Sequence, residues 1–514
     1  MKSILIKSSL AAVILFILSC SSTIDDSEII SKDILLSHQK SIDYYPELLL
    51  SGNYKISPTE ALEEANSFLS FWSRQSSTER SIKELKPVLV ENRELLQDYL
   101  DENITVSDTI AYICNFKNEK GFLLLSADKR LQEPIFTLVE SGNLNDSISN
   151  PGMDLFFSNL EGYIVSKIRD FEEKKPELIV SQLKEIVSNL PPKDQIIMEG
   201  LHDFEYADGF SANYYSTQEV TFKDWHATSQ VMPLSPVEWG QGDVYNNYTP
   251  ENGCSNGNRT KTGCVATATA QLMTYWKYPQ SFDNHTYDWN QMQNYTDEYS
   301  FGTRNGLYKY WTGYINDSIM PFAVKDDIAR LMERIGYYVD MDYGCDESST
   351  STGKSVTFLN NLGYKGGNAQ SYDYNTTVQS LNQRSIVLSS GKSTKRAHCF
   401  LGIKIYYTYH NGHAWLIDGY LKLKHETTVV TKTYSRFTNQ LISSYSQTHT
   451  LKRDYIHNNW GWGGWDNGYF FSNSFNSNNV NLPSNSFMAL AANSGEPGNY
   501  QYQNKIYPFI KKPQ

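Results

Sequence analysis

Asn258-Arg-Thr-Lys-Thr-Gly-Cys-Val-Ala-Thr-Ala-Thr-Ala-Gln-Leu-Met-Thr-Tyr-Trp276 is the stretch on which the reading of this chain turns. A polar loop closes at Gly263, and a compact helix is expected to begin at or just after Cys264. Small residues (Ala266, Ala268, Ala270) come first, then larger apolar ones (Leu272, Met273, Tyr275, Trp276). Tyr278-Pro279 ends the run, because proline disfavours helical geometry in the residue before it. A cysteine therefore opens a helix whose small residues permit close packing. The positive end of the helix dipole favours thiolate over thiol. A lone cysteine is ordinarily a buried structural residue, so a base must be found elsewhere before this one reads as a nucleophile.

Three later and earlier segments supply the rest of such a site. Gly412-His413-Ala414-Trp415-Leu416-Ile417-Asp418-Gly419 sets an imidazole at the start of an apolar strand, between two small residues. Asn459-Trp460-Gly461-Trp462-Gly463-Gly464-Trp465 combines glycines, which allow tight turns and close backbone approach, with tryptophans that can wall a cleft. Asn459 is placed to orient the second histidine nitrogen, and Trp460 to shield that hydrogen bond. Upstream, Gln241 offers an amide donor for an oxyanion hole together with the Cys264 N–H. The ordered set Gln241, Cys264, His413, Asn459 has the roles of a Cys-His-Asn triad, which is recognised by role and not by position. His398 and His410 lie near His413 in sequence; the Gly-His-Ala context selects His413 as the base.

Composition narrows the field. The 514 residues carry 45 basic and 57 acidic side chains, net -12, so no broad basic face for nucleic acid is implied. Apart from Cys20, the cysteines are Cys114, Cys254, Cys264, Cys345 and Cys399. Their odd number and the lack of a C-x-x-C pair argue against a disulfide framework and leave room for one bridge. Residues 1–20 read as a lipoprotein-type signal peptide. Met1-Lys2 and Lys7 are basic, and Leu10 to Leu18 is apolar but too short to span a bilayer. Ile17-Leu18-Ser19-Cys20 resembles the bacterial lipoprotein processing site, which makes Cys20 the lipidated residue and attaches the exported protein to the outer membrane or cell surface. Asp25-Asp26 loosely resembles the surface-export signals of Bacteroidetes lipoproteins. An ordinary secretory signal is the alternative.

The chain then divides. A tether over 21–39 precedes a small α+β domain over 40–200. Its signals are the capping box Ser57-Pro58-Thr59-Glu60, a hairpin of Thr109–Phe116 with Gly121–Asp128, and an amphipathic helix from Asn150-Pro151 burying Met153, Phe156, Leu160, Ile164 and Ile168. Residues 201–230 lack periodicity and are read as a linker containing an activation cleavage region. Residues 231–514 form a helical half followed by an antiparallel β half, within which Leu421–Thr450 reads as an inserted β-hairpin. The fold class is α+β.

The second domain resembles the streptopain-type cysteine peptidases, family C10, which have a papain-like fold. The resemblance rests on Gly240-Gln241-Gly242, Gly263-Cys264 through Gln271 with Tyr278-Pro279, Val339-Asp-Met-Asp-Tyr-Gly344, Gly412-His413-Ala414 with Ile417-Asp418-Gly419, and Asn459-Trp460-Gly-Trp462-Gly-Gly464. The first domain is similar to the family's propeptide, a Spi-type inhibitor domain, chiefly through Gly121-Phe-Leu-Leu-Leu-Ser-Ala-Asp-Lys-Arg130. The resemblance implies a cysteine endopeptidase made as a zymogen, acting on proteins or peptides without metal or organic cofactor and inhibited by its own pro-domain. Two other readings stay open: another Cys-His hydrolase or transferase on the same fold, such as a peptidoglycan peptidase or a transglutaminase, and an inactive surface lipoprotein that binds or inhibits proteases.

Overall fold

The computed structural model describes residues 54–75, 79–89, 104, 107–131, 135–144, 150–188, 214–255, 258–294, 320–391, 399–400, 403–404, 412–435, 438–476 and 504–514. The signal peptide with Cys20, the tether, linker residues 201–213, His398 and His410 lie outside them.

The N-terminal part is built as its sequence suggests. Helix α1 (Pro58–Gln75) starts with the reciprocal box: Ser57 N–H donates to Glu60 Oε2 at 2.7 Å, and Glu60 N–H to Ser57 Oγ at 3.2 Å. Its apolar stripe, Ala61, Ala65, Phe68, Leu69 and Trp72, is buried. Strands β1 (Ile82–Leu89), β2 (Thr109–Phe116), β3 (Phe122–Ser126) and β4 (Ile135–Val139) form an antiparallel meander. Every residue of β2, β3 and β4 is buried, so this sheet is covered on both faces. Helix α2 (Pro151–Ser188) begins where proline costs no hydrogen bond, and Asn150 Oδ1 accepts the Gly152 N–H at 2.9 Å. Met153, Phe156, Leu160, Ile164 and Ile168 are all buried.

The C-terminal part opens with β5 (Tyr214–Val231), then the small ladder of β6 (Glu251–Cys254) and β7 (Asn258–Arg259). Helix α3 (Cys264–Trp276) follows, its residues Val265 to Thr274 all buried. After the two-residue strands β8 (Ser281–Phe282) and β9 (His285–Thr286) come α4 (Trp289–Asn294), α5 (Phe322–Tyr338) and α6 (Thr352–Asn361). Strand β10 (Gln370–Ser371), α7 (Tyr374–Asn382), β11 (Val387–Gly391), the paired β12 (Cys399–Phe400) and β13 (Ile403–Lys404), then β14 (His413–Ser435), β15 (Leu441–Asn459), β16 (Gly468–Phe471) and β17 (Lys505–Tyr507) complete the order. This is the helical half followed by the antiparallel half.

Two features go beyond the sequence reading. First, one antiparallel sheet runs through both parts, in the order β1-β2-β3-β4-β16-β15-β14-β11-β17-β10. The junction is β4 against β16, Thr137 to Val139 opposite Phe470 to Gly468. Second, residues 214–230 of the expected linker are strand. Strand β14 is long enough to pair with β11 through its first residues and with β5 from Tyr420 to Ser435. The expected insertion is the outer part of the β14–β15 hairpin, and that hairpin supplies the edge on which β5 lies.

Candidate active site

Cys264 is the first residue of α3, and the turn before it requires glycine. Gly263 has φ 86°, and a Cβ there would lie 2.8 Å from the Met341 sulfur and 2.9 Å from the Ser348 carbonyl. The loop after α5 is thus packed directly against the approach to Cys264. Lys261 N–H donates to the Gly344 carbonyl at 3.0 Å, and Ser348 Oγ donates to the Lys261 carbonyl at 2.7 Å. A Cys254–Cys345 disulfide ties the same loop to the β6–β7 ladder, filling the room left for one bridge. Gln241 is held beside this approach: its carbonyl accepts the Thr262 N–H at 3.1 Å.

His413 is the first residue of β14 and lies opposite Gly391. The next residue, Ala414, points its N–H at Cys264 Sγ from 3.4 Å, which brings the helix start and the strand start together. Nε2 of the 5% exposed His413 lies 2.8 Å from the Trp460 carbonyl oxygen. A carbonyl only accepts, so Nε2 carries the proton and Nδ1 is the basic nitrogen of a neutral ring. The Trp415 ring lies nearly parallel to the imidazole at 6.2 Å, and the Trp460 ring is also 6.2 Å away. The Asn459 amide serves the neighbouring backbone. Its Nδ2 donates to the Val237 carbonyl at 3.0 Å and to Gln271 Oε1 at 3.1 Å, and its Oδ1 accepts the Gly461 N–H at 3.1 Å. His413 Nε2 thus meets the carbonyl of Trp460, the residue after Asn459.

The comparisons with known proteins bear on these same segments. Residues 239–470 match the Peptidase C10 family, and residues 53–164 match the Spi protease inhibitor. Over that span the chain is similar to peptidase C10 domains. Streptopain of Streptococcus pyogenes is 26% identical over 289 residues, which are 52% of this chain and 59% of that protein. The chain thus spans well under two thirds of the length of the curated streptopains it matches. A thiol protease/hemagglutinin PrtT of Porphyromonas gingivalis is 24% identical over 249 residues, 47% of this chain and 23% of its own length. Among solved structures, Prevotella intermedia prointerpain A is similar at 18% identity with a TM-score of 0.41, covering 79% of this chain and 98% of that one. Active interpain A of the same organism is similar at 21% identity with a TM-score of 0.32, covering 55% and 94%.

The Spi-like part contacts the C10-like domain close to His413. A Cβ on Gly152, in the first turn of α2, would lie 2.1 Å from the Trp460 ring, and Leu155 abuts Gly391, the residue opposite His413. Beside this contact Glu140 reaches His457 Nε2 at 3.3 Å, while Asp418 holds His457 Nδ1 at 2.6 Å. Burial works against a charged His457, but Asp418 and Glu140 outweigh it and push the imidazole up to about 10. At Cys264, burial pushes the thiol up to about 11; the Ala414 N–H works against this and the Glu347 carboxylate adds to it.

Sequence reasoning singled out Gln241, Cys264, His413, Asn459 and Trp460 but gave Gln271 no role. Gln271 lies two turns after Cys264 on the same helix face. It accepts the Trp239 N–H at 2.9 Å and meets Asn459, linking the helix to both flanking segments. A fully buried glutamine in a run of Ala, Thr and Leu was the available signal. Among the described residues no group of three or more His, Cys, Asp or Glu side chains is arranged to hold a metal ion.

Proposed function

We propose that this chain is a cysteine endopeptidase made as a zymogen, hydrolysing peptide bonds in proteins through Cys264 and His413. The observation that carries the reading is the approach of Ala414 N–H to Cys264 Sγ at 3.4 Å, which joins the helix start to the strand start bearing His413. Nδ1 of His413 takes the thiol proton, and the thiolate attacks the scissile carbonyl. The oxyanion is stabilised by the Gln241 amide and the Cys264 N–H. His413 then protonates the leaving amine, and water, activated by the same imidazole, releases the acyl group. The Trp460 carbonyl sets the ring orientation. Asn459 contributes by fixing the Gly461 end of that turn, and the Trp460 ring shields it.

The N-terminal domain acts in this reading as an intramolecular inhibitor. Its support is the seating of α2 against Trp460. A cut between the end of α2 and the start of β5 frees that domain and leaves β5 paired to β14. Cys20 lipidation anchors the precursor to the outer membrane or cell surface, and the mature enzyme is separable from the anchor by the same cut.

The test uses residues 21–514 as wild type and as Cys264→Ala, followed on a gel with and without an epoxide inhibitor of cysteine peptidases. The wild type is expected to shorten to a stable C-terminal fragment that carries the epoxide on Cys264, while the variant stays full length. A wild-type chain that neither shortens, nor labels at Cys264, nor cleaves casein after the segment before β5 is cut by added protease would overturn the reading in favour of a binding protein.

A further inference from the structure

The carbonyl that orients His413 belongs to a turn with little regular structure of its own. Gly461, Gly463, Gly464 and Asp466 all have left-handed φ values, between 61° and 80°. A turn of this kind keeps its shape through the ties made to it. One tie is Asn459 Oδ1 accepting the Gly461 N–H. Another is at Asn467, just before β16 and 1% exposed. Asn467 Oδ1 accepts the Trp460 N–H at 2.9 Å, so the residue whose carbonyl holds His413 is gripped through its own N–H. Asn467 is in turn held: its Nδ2 donates to Glu238 Oε1 at 2.9 Å.

The anchoring segment is shared. The Val237 carbonyl takes the Asn459 amide, Glu238 takes the Asn467 amide, and the Trp239 carbonyl takes the Gly463 N–H at 3.1 Å. Gln241 follows two residues later. The His413 support and the oxyanion amide therefore hang from one extended strip, residues 237–241. Of these three anchors, Glu238 alone accepts through its side chain, which is half-buried. Burial pushes its carboxyl up to about 8; the Asn467 hydrogen bond works against this and the Glu140 charge adds to it.

We propose that Asn467 and Glu238 are positioning residues for the reaction: Asn467 fixes the Trp460 peptide, and Glu238 fixes the Asn467 amide. Together they hold the carbonyl where it keeps His413 Nε2 protonated and Nδ1 directed to its task. The inference rests on the endopeptidase reading. Neither side chain touches substrate, so both act through Trp460.

The test compares wild type with Asn467→Ala, Glu238→Ala and Glu238→Gln, each converted to the mature form. Steady-state kinetics on a small peptide and the pH dependence of Cys264 alkylation by iodoacetamide are read out, with thermal midpoints as the folding control. Asn467→Ala and Glu238→Ala are expected to lower kcat roughly tenfold or more, the usual effect of orphaning a buried partner, with KM little changed. The alkylation limb that reports the thiolate–imidazolium pair is expected to move by about one pH unit. Glu238→Gln keeps an acceptor oxygen and is expected to recover most of kcat. A folded Asn467→Ala enzyme with wild-type kcat and an unmoved alkylation limb would overturn the proposal. Should Asn467→Ala not fold, Glu238→Ala decides on the same two measurements. Failure of Glu238→Gln to recover activity, with Glu238→Ala impaired, also counts against it. If wild type itself neither cleaves nor alkylates at Cys264, the endopeptidase reading fails instead.

Discussion

Gly152→Ala is the smallest change that should separate the two parts of the molecule. The added Cβ would stand 2.1, 2.4 and 2.8 Å from three carbons of the Trp460 ring. Carbon atoms pack at about 3.5–4.0 Å, so something must move by more than an ångström. The ring has little freedom to do so. Trp460 is fully buried, with Trp415 5.2 Å away on one side and Phe470 edge-on at 5.1 Å on another. Its carbonyl is also engaged by His413. The start of α2 must therefore lift, and it is tied there by Asn150 Nδ2 donating to the Trp465 carbonyl at 3.2 Å. Overpacking of this kind costs about 1–3 kcal/mol, which shifts the closed-to-open ratio roughly five- to 150-fold. In a Cys264→Ala background, native-state hydrogen exchange of the β16 amides should quicken by that factor. In the active chain, conversion to the shorter form should quicken as well. The mature enzyme, which lacks residue 152, should be unchanged. A folded Gly152→Ala chain whose β16 exchange and conversion rate match wild type would refute the idea that this contact holds the N-terminal domain in place.

Closure should also depend on pH. His457 is raised to about 10 and Glu238 to about 8, both above their ordinary values, so their contribution to the closed form is complete at low pH and is lost as pH rises through about 8 and then about 10. Because Asp418 stays with His457 on opening, only the share contributed by Glu140 is linked to it. Exchange of the β4 and β16 amides in the Cys264→Ala chain, corrected for intrinsic rates, should thus show easier opening near pH 9 than near pH 6.5, and Glu140→Gln should flatten the difference; the opposite slope would exclude this origin. Arg130, 1% exposed and paired with Asp128 at 2.6 Å and Glu172 at 3.0 Å, should not be replaceable by Ala without a loss of about 3–5 kcal/mol in urea unfolding, since the buried Asp128 would lose its cation and keep the residue-130 backbone N–H. The Cys254–Cys345 bridge closes a separation of 91 residues. Replacing both cysteines by Ser should cost about 2–4 kcal/mol, seen as a lower thermal midpoint than the oxidised wild type; equal midpoints would show that the loop beside Gly263 does not need it.

What could be read in advance was local. The Ser57–Glu60 box, the Asn150-Pro151 start and the Gly263-Cys264 boundary are each set by a few adjacent residues, and each stands where the sequence placed it. His413 at a strand start was legible for the same reason. What escaped was non-local or carried by the backbone. Strand β5 has no clear alternation, and its partner β14 lies some two hundred residues on, so no window of sequence contains the evidence for the pair. The spacing of Cys254 and Cys345 does not encode their pairing. The Trp460 carbonyl left no trace at all, because every residue has a carbonyl. Attention went to the Asn459 side chain beside it, where a side-chain acceptor was expected.

The two attachments along the central sheet differ in kind, and the difference bears on how the molecule comes apart. Strand β4 meets β16 only from Thr137 to Val139, whereas β5 follows β14 from Tyr214 to Val231. The short junction is reinforced by the His457–Glu140 pair, which responds to pH, and also by the Glu140 N–H on the Asn467 carbonyl at 2.9 Å and the tight seat of Gly152 on Trp460. The long one is a backbone ladder, indifferent to pH and to any single side chain. If the chain is cut between α2 and β5, the N-terminal domain is held by the short strand junction and by side-chain contacts such as Trp225 Nε1 donating to Glu64 Oε1 at 3.0 Å and Phe156 packing on Phe470, while β5 remains paired with β14. Leaving uncovers the Trp460 ring and frees the Asn467 carbonyl at the same time. The elements that hold the N-terminal domain are therefore the elements that hold His413. On the endopeptidase reading, substitutions on the Trp460 side of this junction should change latency and catalytic geometry together, whereas Gly152→Ala and Glu140→Gln should change latency alone.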